Sequence, residues 1–232
     1  MCEVTSVPYR VRRSDRARRA RIKVSAEGVE VVVPRRLSMK HVEPFVEEKR
    51  PWIERTLLRM REAEAEHSRP QIEDGGEVPF LDEPLTLRVH VEPARTRPHA
   101  VRRGETLHLK VAEPGPGALR DALERWYRRQ ARDEVAARLD AASARAATSY
   151  TTLQIRGQST RWASCSSTGA MSFNWRLLLA PAEILDYVIE HEVVHLQIHD
   201  HSPRFWAELK RRCPDYETHE AWLKRHGPSL RL

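Results

Sequence analysis

The sequence predicts an α+β protein: a small antiparallel sheet and helices, leading into a helix that carries His191-Glu192-Val193-Val194-His195. Three observations carry this expectation. Short segments with two-residue alternation of apolar and charged groups crowd the first half. Two longer stretches, 38–67 and 119–147, place apolar residues at helical spacing. Finally, an apolar run from Ile184 to Ile198 is interrupted by acids and imidazoles that share helix faces.

The chain has 232 residues, 40% hydrophobic and 31% charged, enough for one large or two small domains with a real core. No apolar run approaches ~18 residues, so no helix is expected to cross a membrane. Met1 to Arg10 lacks the apolar segment of a signal peptide. Cys2, Cys165 and Cys213 are few, odd in number and widely spaced, which excludes a disulfide framework and a cysteine-only zinc site. A soluble cytoplasmic protein is therefore expected. The net charge of +7 leaves nucleic acid open as a partner. A coding bias toward arginine explains such an excess equally well.

Arg21–Ser25 and Val29–Val33 flank Gly28, a strand–turn–strand signal. Arg10 to Lys23 holds eight basic residues against one acid, Asp15. Such a stretch suits phosphates or acidic peptides. A charged edge strand protected from aggregation is the simpler reading. Ser38 opens a helix to about His67, with Val42, Phe45, Val46, Ile53, Leu57 and Met60 on one face, and Pro51 should kink or restart it. Ser68–Gly76 reads as a linker. Strands over Glu77–Leu81, Leu85–Val91, Val101–Arg103 and Leu107–Val111 are expected to form a small antiparallel sheet shared with the first hairpin. Glu113–Gly117 is a break. On this organisation residues 1–116 are an N-terminal β-rich part with one long helix, and 117–232 are the part with the histidine motif.

From Leu119 to about Ala147 a helix carries Leu123, Trp126, Tyr127, Val135 and Leu139 as its stripe. Ser149–Ile155 returns to strand character, and Thr168-Gly169 reads as the turn before the strand Met171–Trp175. Pro181 suits the first position of the next helix and Glu183 its positive end. Apolar groups surround that helix almost completely, so it belongs in the core. It is expected to stop near His199-Asp200. Ser202-Pro203 opens another helix with Phe205, Trp206 and Leu209 inward, and Pro214 starts a last segment anchored by Tyr216, Trp222 and Leu223.

Histidines at i and i+4 lie on one helix face, where a single Zn²⁺ takes both imidazoles and the intervening Glu192 reaches a water on the metal. Buried charge is costly unless paired or metal-bound, so one zinc per chain accounts for polar groups in an apolar helix. His199 continues the face but stands about 12 Å along the helix from His191. The third ligand is therefore expected to be His201, beyond the helix end, with His199 left as a surface or supporting residue. A carboxylate from the last segment, Asp215 or Glu217, stays open as the alternative. With three protein ligands, zinc activates a water. Glu192 takes its proton and passes it to the leaving amine, and an amide bond is hydrolysed without a covalent intermediate. Asp200 either orients a ligand imidazole or caps the next helix.

Arg161-Trp162-Ala163-Ser164-Cys165-Ser166, Asn174-Trp175-Arg176, Leu185-Asp186-Tyr187-Val188, the His191–His195 motif and His201-Ser202-Pro203-Arg204-Phe205-Trp206 strongly resemble the YgjP-like family of zinc metallopeptidases. That family is related to the SprT-like and WLM-type proteases. The resemblance runs from about residue 20 to 225 as one continuous domain. It implies a zincin-like fold, zinc on His191, His195 and His201, Glu192 as base, and a peptide or protein substrate. In zincins an extended peptide pairs with a sheet edge, here expected over Arg161–Ser166, which makes Arg161, Ser164 and Asn174 candidate substrate-binding residues. One departure is visible: Ala163 stands where the family usually has Gly, which matters if that position needs positive φ or close backbone approach. Cys165 reads as a small buried thiol, and Trp162, Trp175 and Trp206 as core. Two other readings remain. One is a DNA-associated, SprT-type protease acting on protein bound to DNA, without a recognisable DNA-binding module. The other is a non-catalytic binding module with a structural zinc, which has no use for Glu192.

Overall fold

The computed structural model describes residues 7–25, 28–66, 70–158 and 161–232. Among them the chain is mixed α+β, with three small sheets and five α-helices. It forms two compact units, residues 1–68 with 225–229 and residues 69–224 with 230–232. No helix is long and apolar enough to cross a membrane among the described residues.

In the first unit, β1 (Tyr9–Ser14), β2 (Arg21–Ser25) and β3 (Gly28–Pro34) make a sheet of order β1-β3-β2. β2 pairs antiparallel with β3, as the hairpin signal requires, and β1 adds to the other edge in parallel. Strand alternation sends Val29, Val31 and Val33 to one face. There they bury against Val42, Val46 and Ile53 of α1 (Val42–Glu66). Pro51 lies inside α1 without dividing it. Its missing N–H strands only the carbonyl of Glu47, and both residues are on the exposed side where water serves instead.

The second unit begins with β4 (Glu77–Phe80), β5 (Glu83–Val91), β6 (His99–Arg103) and β7 (Thr106–Val111), in the order β4-β5-β7-β6. This corrects the expectation of one antiparallel sheet shared with the first hairpin. The strands form a sheet of their own, and β5 runs parallel to β7. The physical reason is burial. Leu85, Leu87, Leu107 and Leu109 are fully buried in one core with Leu123, Trp126 and Tyr127 of α2 (Pro116–Arg145), so this sheet has its own covering helix. Tyr127 also donates its hydroxyl to the carbonyl of Pro79 in β4. A third sheet, β8-β10-β9, joins β8 (Thr152–Arg156), β9 (Ala163–Cys165) and β10 (Ala170–Asn174). Gly169 closes the β9–β10 turn at φ +77°, a conformation glycine adopts without steric cost.

Then follow α3 (Ala182–Val194), α4 (Pro203–Arg212) and α5 (Tyr216–His226). α3 is buried along most of its length, including Ile184, Leu185, Val188, Ile189, Val193 and Val194. Its end is a second correction, because helix stops at Val194 and not near residue 199. Leu196 N–H bonds Val193 O at 3.1 Å and Ile198 N–H bonds Val194 O at 2.9 Å, so the backbone groups are satisfied by tight turns in place of further helix.

Candidate metal centre

His191 sits in the last turn of α3 and His195 is its C-terminal cap. The His195 N–H still reaches His191 O at 3.4 Å, which keeps the two imidazoles one turn apart. His195 Nδ1 lies 3.0 Å from Ile198 O. A carbonyl only accepts, so Nδ1 carries the proton and Nε2 offers its lone pair. The early helix stop lets the chain double back, and His201 Nε2 comes within 3.2 Å of His191 Nε2. One ligand atom from each of His191, His195 and His201 lies within 4.8 Å of the others. Burial, then the neighbouring His195 and His201, push His191 down to about 3, so it is neutral and a competent donor at ordinary pH. Converging imidazole lone pairs repel unless a proton or cation lies between them. The donor set, three imidazole nitrogens facing an open cleft, fits zinc.

Below the imidazoles lies Phe205 of α4, fully buried, with ring centroids 4.9 Å from His191, 4.5 Å from His195 and 4.7 Å from His201. Trp206 donates Nε1–H to His201 O at 3.0 Å and stacks on Tyr216, which holds the returning segment. Phe205→Ala is expected to cost about 3–5 kcal/mol in denaturant unfolding and to weaken metal retention, because it removes the floor against which all three rings pack.

Glu192 points to the same place. It is buried at 6% exposure, and its Oε2 has no partner among the described residues. Burial raises its carboxyl to about 7, partly offset by the hydrogen bond donated from the Cys165 backbone N–H. That bond ties the carboxylate to β9. The Cys165 thiol is half-buried, and its environment pushes it up to about 11, chiefly through burial and next through Glu192, so it is a protonated thiol at neutral pH.

A cleft of about 410 Å³ opens over these groups, lined by the three imidazoles, Glu192, His199, Arg161, Ala163, Ser164, Cys165 and Ser167. β9 is an edge strand: β10 pairs with it on one side, and its residues line the cleft. Arg161 and Ser164 are thus brought to the cleft, although the Ser164 hydroxyl also bonds Ser172 Oγ at 2.9 Å. Asn174 is not. It is buried, its Nδ2 donates to Gln158 O at 2.8 Å and Arg161 O at 3.3 Å, and its Oδ1 accepts from Arg176 N–H at 3.2 Å. Its amide holds the segment that carries Arg161 and does not face a substrate. Ala163 has ordinary strand backbone without positive φ, so a glycine is not required there for conformation. Asp200 accepts from Ser202 N–H at 3.3 Å, which closes a local turn just ahead of α4 and does not cap the helix, whose N-cap is Ser202. Asp215 and Glu217 are not in the histidine cluster.

One residue beside the motif escaped sequence reasoning. Glu190 is buried, and it accepts from Arg145 of α2 at 2.6 Å and from Arg212 of α4 at 2.7 Å. Arg212 also donates to Ala142 O at 3.0 Å. This ion-pair cluster clamps α3 to its two neighbours immediately before His191. An acid inside an apolar helix was the available signal, but nothing local selects its partners among so many arginines. Asp82, in the β4–β5 turn, likewise reaches the Ala182 N–H at the start of α3, at 3.4 Å.

Comparison with known proteins yields no match among curated proteins. Among solved structures, the crystal structure of the metallopeptidase zymogen of Pyrococcus abyssi abylysin is similar at 24% identity and a TM-score of 0.34, over 39% of this chain and 96% of that one. The family described as YgjP-like, metallopeptidase domain, matches residues 18–226, nearly the whole length over which the centre and its supports are built, and this chain belongs to that family.

Proposed function

We propose that the chain is a zinc-dependent metallopeptidase in which His191, His195 and His201 hold one zinc and Glu192 is the general base. The observation that carries this is the convergence of three imidazoles with a buried carboxylate whose Oε2 is uncommitted, all in one cleft. When bound, zinc supplies Lewis acidity, which acidifies water and polarises a substrate carbonyl. Glu192 Oε2 takes the proton from the hydrolytic water and delivers it to the nitrogen of the departing amine, while the Cys165 N–H holds the carboxylate in place. His195 is kept in the Nε2-donor tautomer by Ile198 O. An extended peptide adds to the edge of β9 that β10 leaves open, beside the Cys165 N–H held by Glu192, with Arg161 and Ser164 next to it. A structural zinc would be closed by a fourth protein ligand, and the histidine cluster has three members among the described residues.

The test is metal analysis coupled to a peptide-library digest. About one zinc per chain is expected, together with peptide cleavage that a chelator abolishes and added zinc restores. His201→Ala should lower zinc content and cleavage together. Stoichiometric zinc in that variant would remove His201 from the ligand set, and cleavage that survives complete metal removal would overturn the reading.

A further inference from the structure

The charge of this chain is not spread over it. Residues 7–36 hold ten Lys and Arg against three Asp and Glu, a net of +7, which equals the net charge of the whole chain. The other 202 residues are balanced, 30 basic against 30 acidic. A general preference for arginine would distribute its excess, so composition does not account for the concentration.

The structure places four of these ten bases, Arg10, Arg12, Arg21 and Lys23, on one face of the first sheet, while Arg13 is in register with Val33 on the other. Strand register aligns Arg10 with Glu30 and Lys23, and Arg12 with Val32 and Arg21. These residues share the sheet face opposite the one that buries Val29, Val31 and Val33 against α1. Arg10, Arg12, Arg21 and Lys23 are all exposed, as are Arg16, Arg18 and Arg19 in the turn joining β1 to β2. Among the described residues the acids here are Glu30, 2.8 Å from Arg12 and 4.0 Å from Lys23, and Asp15 in the turn, 3.3 Å from Arg35. By contrast, α1 on the other side carries seven acids against five bases and pairs internally, as Glu47 does with Arg50. Edge protection calls for one or two charges per strand, and the excess continues through a turn that has no edge to protect.

We propose that the outer face of the β1-β3-β2 sheet docks the phosphate backbone of double-stranded nucleic acid. Residues on one face of a strand are roughly 7 Å apart, and guanidinium groups bind phosphate bidentately. Among the described residues no aromatic side chain lies on the face, since Tyr9 packs on the inner cluster, so they offer no base-stacking single-strand platform. Nor do the described residues present an exposed apolar anchor on it, because Val32, in register with Arg12 and Arg21, is fully buried. A protein partner or an inserted membrane contact would use such an anchor. Backbone contact without base reading is the recognition that remains.

The test is fluorescence anisotropy with the full chain and a labelled DNA duplex of about 20 base pairs, repeated with the matching RNA duplex, across a salt series. Proteolysis is not read, so the result is independent of the peptidase assignment. Four phosphate contacts imply a slope of log K against log salt of about −3.6. R10Q/R21Q/K23Q should reduce the slope to about −0.9 and weaken binding at least tenfold at about 50 mM salt. R55Q/R59Q/R61Q removes the same charge from α1 and should leave binding unchanged. Circular dichroism checks folding, and R16Q/R18Q/R19Q replaces the sheet variant if that one unfolds. Salt-insensitive or undetectable binding to both duplexes overturns the proposal, as does equal loss in the sheet and helix variants. Tighter binding to phosphatidylserine vesicles or to polyglutamate than to either duplex also overturns it, in favour of a membrane or an acidic protein.

Discussion

Glu192→Gln is expected to lower kcat for peptide hydrolysis by about 10²–10⁴-fold while leaving zinc content, KM and thermal midpoint close to wild type. Glutamine has the same shape and still accepts the Cys165 N–H through its carbonyl oxygen, so β9 and α3 keep their contact. What it lacks is an atom that can take a proton from water. Because Glu192 is outside the cluster of His191, His195 and His201, metal binding has no reason to change. Paired measurement of zinc by metal analysis and of cleavage by steady-state kinetics separates the two roles. A variant that keeps zinc and hydrolyses normally removes Glu192 from proton transfer, whereas loss of zinc would place it among the ligands.

Arg212→Ala is expected to destabilise the second unit by about 3–5 kcal/mol. Glu190 is 8% exposed, and truncation leaves one of its carboxylate oxygens buried without its Arg212 partner. Arg145 remains but has a largely exposed side chain, 62%, against 6% for Arg212, so it shields Glu190 less. The carbonyl of Ala142 also loses this donor, while it keeps the Ala146 N–H at 3.1 Å. Replacing both partners, E190M/R212M, should recover most of the stability, because two apolar groups of similar volume carry no unpaired charge. Denaturant unfolding of the two variants decides this, with the midpoint falling at unchanged slope. Equal stability of Arg212→Ala and wild type would mean that the cluster clamps nothing. Since Glu190 adjoins His191, the single variant should also hold zinc less tightly, which chelator competition against the wild type measures.

Much of the centre was legible in the residues alone. The spacing of His191 and His195 needs only helical geometry, and an acid between them in an apolar helix calls for a metal or a partner. The exclusion of His199 rested on the length of the helix, and the preference for His201 on a chain reversal past its end. That reversal comes sooner than expected, at Val194, because Ile198 and Leu196 satisfy the last carbonyls in turns. Asn174 was expected beside a substrate, and a polar residue at a strand end gives no sign of whether its amide bonds to loop carbonyls, as it does to Gln158 and Arg161.

Patterns such as alternation, helical period, caps and ligand spacing are properties of one segment, and each is written in that segment's own residues. They were sufficient for the α+β class, the strands over 77–111, the helix after Leu119 and the three histidines that the structure brings within 4.8 Å of one another. Partner choice between distant segments is a different quantity. The parallel pairing of β5 with β7, the separation of the first sheet from the second, the Phe205 floor and the Glu190 clamp all depend on which buried surfaces meet. Several pairings satisfy the same local pattern, and only packing in three dimensions, where an unpaired charge or a void costs several kcal/mol, selects one of them.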